Sequence, residues 1–308
     1  MEKGAVQRKK KSAFVSKKDI ALGWFFGSLP LLGVLIFSAA PIGISFVAQF
    51  TSMQNNDLST MTWNNFENFS KVFQDPIFWH SIKITMWLMI VQVYSVVVGC
   101  VIAYLLNKVK GTKLFRVIAF LPNVTAIIVI LTMFKWVFDW KHGVLNEFLG
   151  MEIHWLADAS NPQLLTWAIL FVMAWAAPAY GIILYGAAFR NINPALYEAC
   201  EIDGGNEWVK FWHISIPGIL PTLLYMLVMG IISGFTVFDF AQGMVAISTG
   251  TPGGIDNMAM TIMYYIYIQG VDYKHMEYAA VMSWILFVVV AVLSVLLFRL
   301  RKKAEEAQ

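Results

Sequence analysis

Charge is scarce in this sequence. Of its 308 residues only 13% are Asp, Glu, Lys or Arg, against 58% hydrophobic, and the mean hydropathy is +0.64. So little polar surface cannot cover a water-soluble core, and lipid must solvate most of the chain. Cysteine is sparse as well. Cys100 lies in an apolar run and Cys200 in a polar loop, so there is no disulfide framework and the redox compartment stays open. No two of His, Cys, Asp and Glu recur at ligand spacing on one apolar run, which leaves no metal site. A phosphate-cradling GxxxxGK[ST] loop is also missing, so any ATP hydrolysis belongs to another chain. Gly230-Ile231-Ile232-Ser233-Gly234 resembles a serine-protease turn only superficially, because Ile231 stands where such turns carry glycine. Basic residues are nowhere interleaved with exposed aromatics, which argues against nucleic acid. Period-two alternation is absent and excludes a membrane barrel, and there is neither a solenoid-length repeat nor a low-complexity tract.

What remains is a series of long apolar runs. They fall at about 21–50, 78–106, 116–137, 163–188, 218–240 and 276–300, each at least the roughly 20 residues a helix needs to cross a hydrocarbon core. The first is too long for a signal-peptide core and contains Pro41, so it reads as an uncleaved helix. The expectation is an all-α polytopic membrane protein of six transmembrane helices. A basic tail over residues 1–19 precedes the membrane domain at 20–300, and a short tail follows at 301–308. Placing both termini in the cytoplasm puts seventeen Lys and Arg inside, counting Lys3 to Lys18, Lys108 to Arg116, Arg190, Lys210 and Arg299 to Lys303. Only Lys71, Lys83, Lys135, Lys141 and Lys274 then lie outside. Trp63, Trp79, Trp136 and Trp140 gather near the outer boundary as an interface belt. A short surface helix is expected there through Phe66, Phe69 and Phe73.

One polar segment, within 190–217, separates the fourth and fifth runs on the inner side. It reads as two short helices folded back on each other. Asn193 caps and Pro194 opens the first, Asp203-Gly204-Gly205 stops it, and Asn206 caps a second whose Trp208, Phe211 and Trp212 form an apolar stripe. Pro217 is expected to open the next span.

Glu198-Ala199-Cys200, then Gly204, then Ile214, Ile216 and Pro217 resemble the "EAA" loop of binding-protein-dependent ABC importer permeases, with Cys200 where the family has alanine. Similarity extends to Asn65-Phe66-Glu67-Asn68-Phe69, Asp75-Pro76-Ile77-Phe78-Trp79, Ala103-Tyr104-Leu105-Leu106-Asn107, Lys135-Trp136-Val137-Phe138, Phe238-Asp239 and Gly250-Thr251-Pro252-Gly253-Gly254. These resemble the carbohydrate branch, of the maltose, lactose and multiple-sugar type. The resemblance implies a type I importer permease fold and a multi-pass place in a bacterial cytoplasmic membrane. It also implies that Glu198, Ala199, Cys200, Asp203, Gly204 and Trp208 couple the chain to an ATPase. Implied partners are a second similar permease, two cytoplasmic ATPase subunits holding the ATP and magnesium that this chain lacks, an extracytoplasmic solute-binding protein and a sugar.

For the cargo path, Trp167, Trp175, Tyr180 and Tyr185 offer flat apolar faces with polar edges, which a pyranose ring needs, although core packing accounts for any one of them equally well. Position relative to the loop, by the same resemblance, singles out Trp175, Tyr180, Gly230, Ser233, Gly234 and Val237. Pro178 between the two aromatics is expected to kink its helix, which suits a cavity or gate and equally plain packing. A glycerol-phosphate-type permease is the alternative in the same family, and an ion-coupled secondary carrier is the rival from another class. The carrier would need an intramembrane acid such as Asp239 or Glu277. No basic residue falls at mid-depth in any run, which favours a neutral sugar.

Overall fold

Proline sets many of the helix boundaries, because it is tolerated in the first helical turn and interrupts an interior. The computed structural model describes residues 16–109, 111–248 and 250–306; Lys110 and the basic tail up to Val15 lie outside it. The first apolar helix runs as α1 (Lys17–Val34), one wide π-turn at Leu35–Ala39, and α2 (Ala40–Ala48). Pro41 lacks the N–H that would meet the Phe37 carbonyl, and the wide turn falls just before it.

An antiparallel hairpin follows, β1 (Thr51–Gln54) and β2 (Asp57–Trp63), which the sequence reading did not foresee. Asn55 and Asn56 turn it at φ of 51° and 63°, a region asparagine enters more readily than most residues. The surface helix expected at Phe66, Phe69 and Phe73 is α3 (Glu67–Gln74), entered from Phe66. Next comes α4 (Pro76–Lys108), unbroken over 33 residues and capped by Asp75, whose Oδ1 accepts the Ile77 N–H at 2.8 Å. Its buried stripe returns every three or four residues and is rich in small side chains such as Ser81, Thr85, Ser95 and Ala103, so neighbouring helices approach closely.

The third expected span is not one helix. It forms α5 (Lys113–Val124) and α6 (Ile127–Val137), which meet at 100°. Pro122 removes a rung of the helical ladder, Thr125 and Ala126 are extended, and neither half alone is long enough to cross. Six straight spans therefore become five long apolar helices and one bent pair. After α7 (Val144–Leu149), the fourth span consists of α8 (Gln163–Ala176) and α9 (Pro178–Arg190), joined at Ala177. The polar segment holds α10 (Pro194–Ile202), α11 (Glu207–Lys210), a π-turn at Phe211–Ser215 and α12 (Ile216–Gly218).

Pro217 lies within α12, and the fifth span begins only at Leu220. It is α13 (Leu220–Phe235), followed by a break and then α14 (Asp239–Ser248), so the apolar stretch reaches Ala246 rather than stopping at Phe240. At the break Thr236 Oγ1 donates to the Ile232 and Ser233 carbonyls, satisfying groups the interrupted ladder leaves free. A loop leads to α15 (Ile262–Tyr267), a π-turn at Ile268–Asp272 and α16 (Met276–Glu306). This last helix runs through most of the stretch expected as a tail at 301–308.

Buried apolar side chains form two large clusters. One lies toward the hairpin end, from Leu88 of α4, Phe134 of α6, Ile169 of α8, Met244 of α14, Ile268 and Met282. The other lies toward the α10 end, from Val96 and Cys100 of α4, Ile182 and Tyr185 of α9, Ile219 and Met226. The breaks in α5–α6, α8–α9 and α13–α14 fall between them, and α4 crosses both unbroken. A small third cluster, Ala48, Met53 and Ala280, holds the hairpin against α16. Asn56 reinforces it, donating to the Gly270 carbonyl and accepting the Met276 N–H, both at 2.8 Å. Trp284 of α16 also meets α2, with Nε1 3.2 Å from Ser45 Oγ and its ring against Phe46. At the same end Asp75 Oδ2 accepts from Tyr265 and Tyr278 hydroxyls at 2.5 and 2.7 Å. Burial and the bonded carboxylate push the Tyr265 phenol up, so it stays a donor.

Candidate functional site

Two places carry polar groups in an arrangement that packing alone does not require. The first is the segment from Asn193 to Ser215. Asn193 Oδ1 accepts the Ala195 N–H and Asn206 Oδ1 the Val209 N–H, so each short helix has the cap its sequence announces. Between them Gly204 adopts φ of 78°, the left-handed geometry that closes a helix. Gly205 N–H donates to the Cys200 carbonyl at 2.8 Å; a Cβ on Gly205 would collide with Cys200 Sγ and lie 2.9 Å from that carbonyl oxygen.

The outward face of this loop is bare. Glu198, Ala199, Asp203 and Gly204 are exposed, Ile202 is 86% exposed and Trp208 69%. Exposed apolar side chains beside free carboxylates mark an interaction surface. The inward face is tied down by ions. Lys210, buried to 7% exposure, pairs with Glu201 and lies 3.2 Å from Glu207, and Glu207 also pairs with Lys108 at the end of α4. The hydrogen bond from Lys210 holds the Glu201 carboxyl below its usual value, so this pair contributes at neutral pH and weakens only as acid protonates Glu201. Tyr104 of α4 packs its ring 4.7 Å from that of Phe211 and places its hydroxyl 3.5 Å from the Glu207 carbonyl. The expected stripe therefore divides: Phe211 packs inward, while Trp208 and Trp212 stay exposed.

The second place is a cavity of about 420 Å³ where the two cores meet, bordered by α4, the α5–α6 bend, the α8–α9 joint and α13. Its polar lining is Gln92, Ser95, Asn123, Thr125, Tyr180 and Ser233; its apolar lining includes Met173, Met226, Met229 and Phe240. No charged side chain lines it. Amides and hydroxyls set among methionines and aromatics recognise a neutral ligand with hydroxyl edges and apolar faces. Tyr180, Gly230 and Ser233 come together here as the sequence led one to expect. Trp175 does not join them: its ring packs 5.4 Å from Phe134. Gly234 is buried against Met89 and Gln92 of α4, and Val237 is a core residue whose carbonyl accepts from Thr261 at 2.6 Å. Gln92 and Asn123 were missed, although an amide inside a long apolar run is itself a signal. Asp239 and Glu277, the acids a carrier would use, do not border the cavity.

Comparison with known proteins places these features in context. The family described as binding-protein-dependent transport system inner membrane component matches residues 95–305. A probable ABC transporter permease protein, YesP of Bacillus subtilis, is 30% identical over 302 residues, covering 94% of this chain and 93% of that protein. The lactose transport system permease protein LacF of Rhizobium radiobacter is 30% identical over 288 residues, 90% of this chain and 92% of its own. Among solved structures, a chain of a bacterial ABC transporter that imports the acidic polysaccharide alginate aligns with a TM-score of 0.76 at 22% identity, over 93% of this chain and 98% of that one. That likeness is one of fold.

Proposed function

This chain belongs to the family of binding-protein-dependent transport system inner membrane components, and on that premise we propose that it forms half the pore of an importer for a neutral sugar or oligosaccharide. The observation that carries the cargo class is the cavity at the junction of the two cores, lined by amides and hydroxyls among apolar side chains and free of charged ones. A phosphate ester would call for a basic group there. The name of one relative, a lactose transport system permease protein, points the same way.

The α10–α11 loop is the surface on which an ATPase docks, through Glu198, Ala199, Cys200, Asp203, Gly204 and Trp208. An exposed face of unpaired carboxylates beside Ile202 and Trp208 fits a partner with a basic, partly apolar groove. The charge bias of the sequence then sets this loop and both termini in the cytoplasm. The partners are a second, similar permease, two ATPase subunits that hold ATP and magnesium, and an extracytoplasmic binding protein that delivers the sugar. ATP binding moves the docked loop, and the loop moves the membrane helices between two packed states. The chain itself makes and breaks no covalent bond.

The test is ATPase activity of the purified complex in lipid, with binding protein loaded in turn with members of a sugar panel. Stimulation by a neutral sugar is expected. Stimulation only by a sugar phosphate would overturn the cargo class, and uptake driven by an ion gradient without a co-purifying ATPase would overturn the importer reading.

A further inference from the structure

A second cleft, of about 370 Å³, lies between α4, α5 and α9, on the α10 side of the cargo cavity. Its walls are apolar, formed by Ala103, Val117, Phe120, Leu121, Val124 and Ile183. Val117, Leu121 and Val124 are half exposed or more, so the cleft lies open along its length. Charge occurs in its lining only as Arg116 and Arg190.

Asn107 ties Arg116 to α9. Arg116 Nη2 donates to Asn107 Oδ1 at 3.0 Å and to the Leu106 carbonyl at 3.1 Å, while Asn107 Nδ2 donates to the Gly186 carbonyl at 3.2 Å. Arg190 turns back one helical turn over Gly186, with Nη1 3.9 Å from where a Cβ on that glycine would stand. Among the described residues neither guanidinium pairs with a carboxylate. The two acids of the adjoining cleft, Glu201 and Glu207, are already engaged by Lys210 and Lys108. Two cations lining one cleft with no carboxylate between them repel each other, and an anion between them removes that cost. The groove running from them into the apolar part of the bundle calls for an anion with a hydrocarbon tail.

We propose that this cleft binds an anionic phospholipid, its phosphate on Arg116 and Arg190 and one acyl chain along α5 and α9. Guanidinium groups suit this role through their planar fork of donors, and both lie near a helix end where headgroups are found: Arg190 is the last residue of α9 and Arg116 stands in the first turn of α5. The inference rests on the membrane placement above and not on the identity of the cargo.

The experiment reconstitutes the complete importer in nanodiscs of phosphatidylcholine with a minority of phosphatidylglycerol and counts retained lipids by native mass spectrometry. Retention of phosphatidylglycerol over phosphatidylcholine is expected by roughly thirtyfold, the scale of two arginine contacts. In R116Q/R190Q the two lipids should be held alike. The pair V117W/I183W fills the cleft while leaving both arginines, and it too should lose the lipid. Equal retention by the wild type, or an unchanged preference in R116Q/R190Q, overturns the proposal. Displacement by millimolar inorganic phosphate also overturns it, since that would mark a site for free anions. If R116Q/R190Q fails to assemble, V117W/I183W decides: loss of lipid supports the site and retention refutes it. A wild-type complex without its ATPase would count against the importer reading, while the lipid ratio is still read on the permease.

Discussion

At the scale of single residues, the α10–α11 loop depends on a backbone geometry that few side chains accept. Gly204 sits at φ of 78°, and a Cβ added there would meet nothing within 4 Å, so the obstacle to substitution is conformational rather than steric. Replacing it with valine forces the turn into a left-handed geometry that costs a β-branched residue about 1–2 kcal/mol, and the loop relieves this by tilting. G204V should therefore insert and assemble in the membrane yet lose sugar uptake while ATP hydrolysis continues. Uptake at the wild-type rate would defeat that account. Glu198 is exposed and its carboxylate makes no hydrogen bond or ion pair among the described residues, so E198A should leave the fold intact and weaken ATPase retention on purification. Both residues were legible in the sequence, since caps, a stop and a free acid are local signals. Trp175 and Val237 show the limit of such reading: neither borders the cavity, because neighbours distant in sequence set the helix rotation, which lays the still exposed Trp175 against Phe134 and turns Val237 into the core.

Among elements, the connection between the loop and the membrane helices is ionic as well as covalent. Glu207 joins Lys210, hence α10 through Glu201, and it also joins Lys108 at the end of α4. A movement of α10 is thus passed to α4 directly, without travelling through the join at α12. Replacing Glu207 with glutamine leaves Lys210 with one carboxylate partner and Lys108 with none. The expected result is a complex that hydrolyses ATP but transports several-fold more slowly, and the charge reversal K108E/E207K should recover much of the loss. No recovery would mean that Glu207 serves only local folding. The sequence made each charge visible but not the pairing. Residues 108 and 207 are brought together by the packing of α4 along α9, a long-range fact that helical periodicity does not contain.

Over the whole molecule, the six expected spans are present as five long apolar helices and one bent pair, and the breaks between the two cores are what the sequence did not reveal. Length and hydropathy report that a stretch can lie in lipid; they do not report whether it crosses straight. Pro122 and Pro178 were visible, yet whether a proline bends a helix by a few degrees or folds it to 100° depends on the space beside it. The helical ladder is interrupted in α5–α6, α8–α9 and α13–α14 between the two cores, though at Ala177 the backbone stays helical, while α4 runs through both cores unbroken. P178A should restore a helical rung, stabilising the α8–α9 span by about 1–3 kcal/mol, and slow transport by stiffening it. A higher melting temperature with unchanged transport would remove the joint from the mechanism.

The hairpin has a consequence for how the chain is made. The hairpin is held locally by Asn68 of α3, which donates to the Gln49 and Thr51 carbonyls, and at long range by Ala280, Trp284, the Met276 N–H and the Gly270 carbonyl, which leave the ribosome long after Asn56 does. The α2 end of the first helix therefore gains its contacts with α16 only when nearly the last helix arrives, while the apolar surface of α1 stays uncovered in the finished chain. The contacts of α2 and the hairpin with α16 are thus the last to become available in synthesis, and a premature stop before α16 removes them.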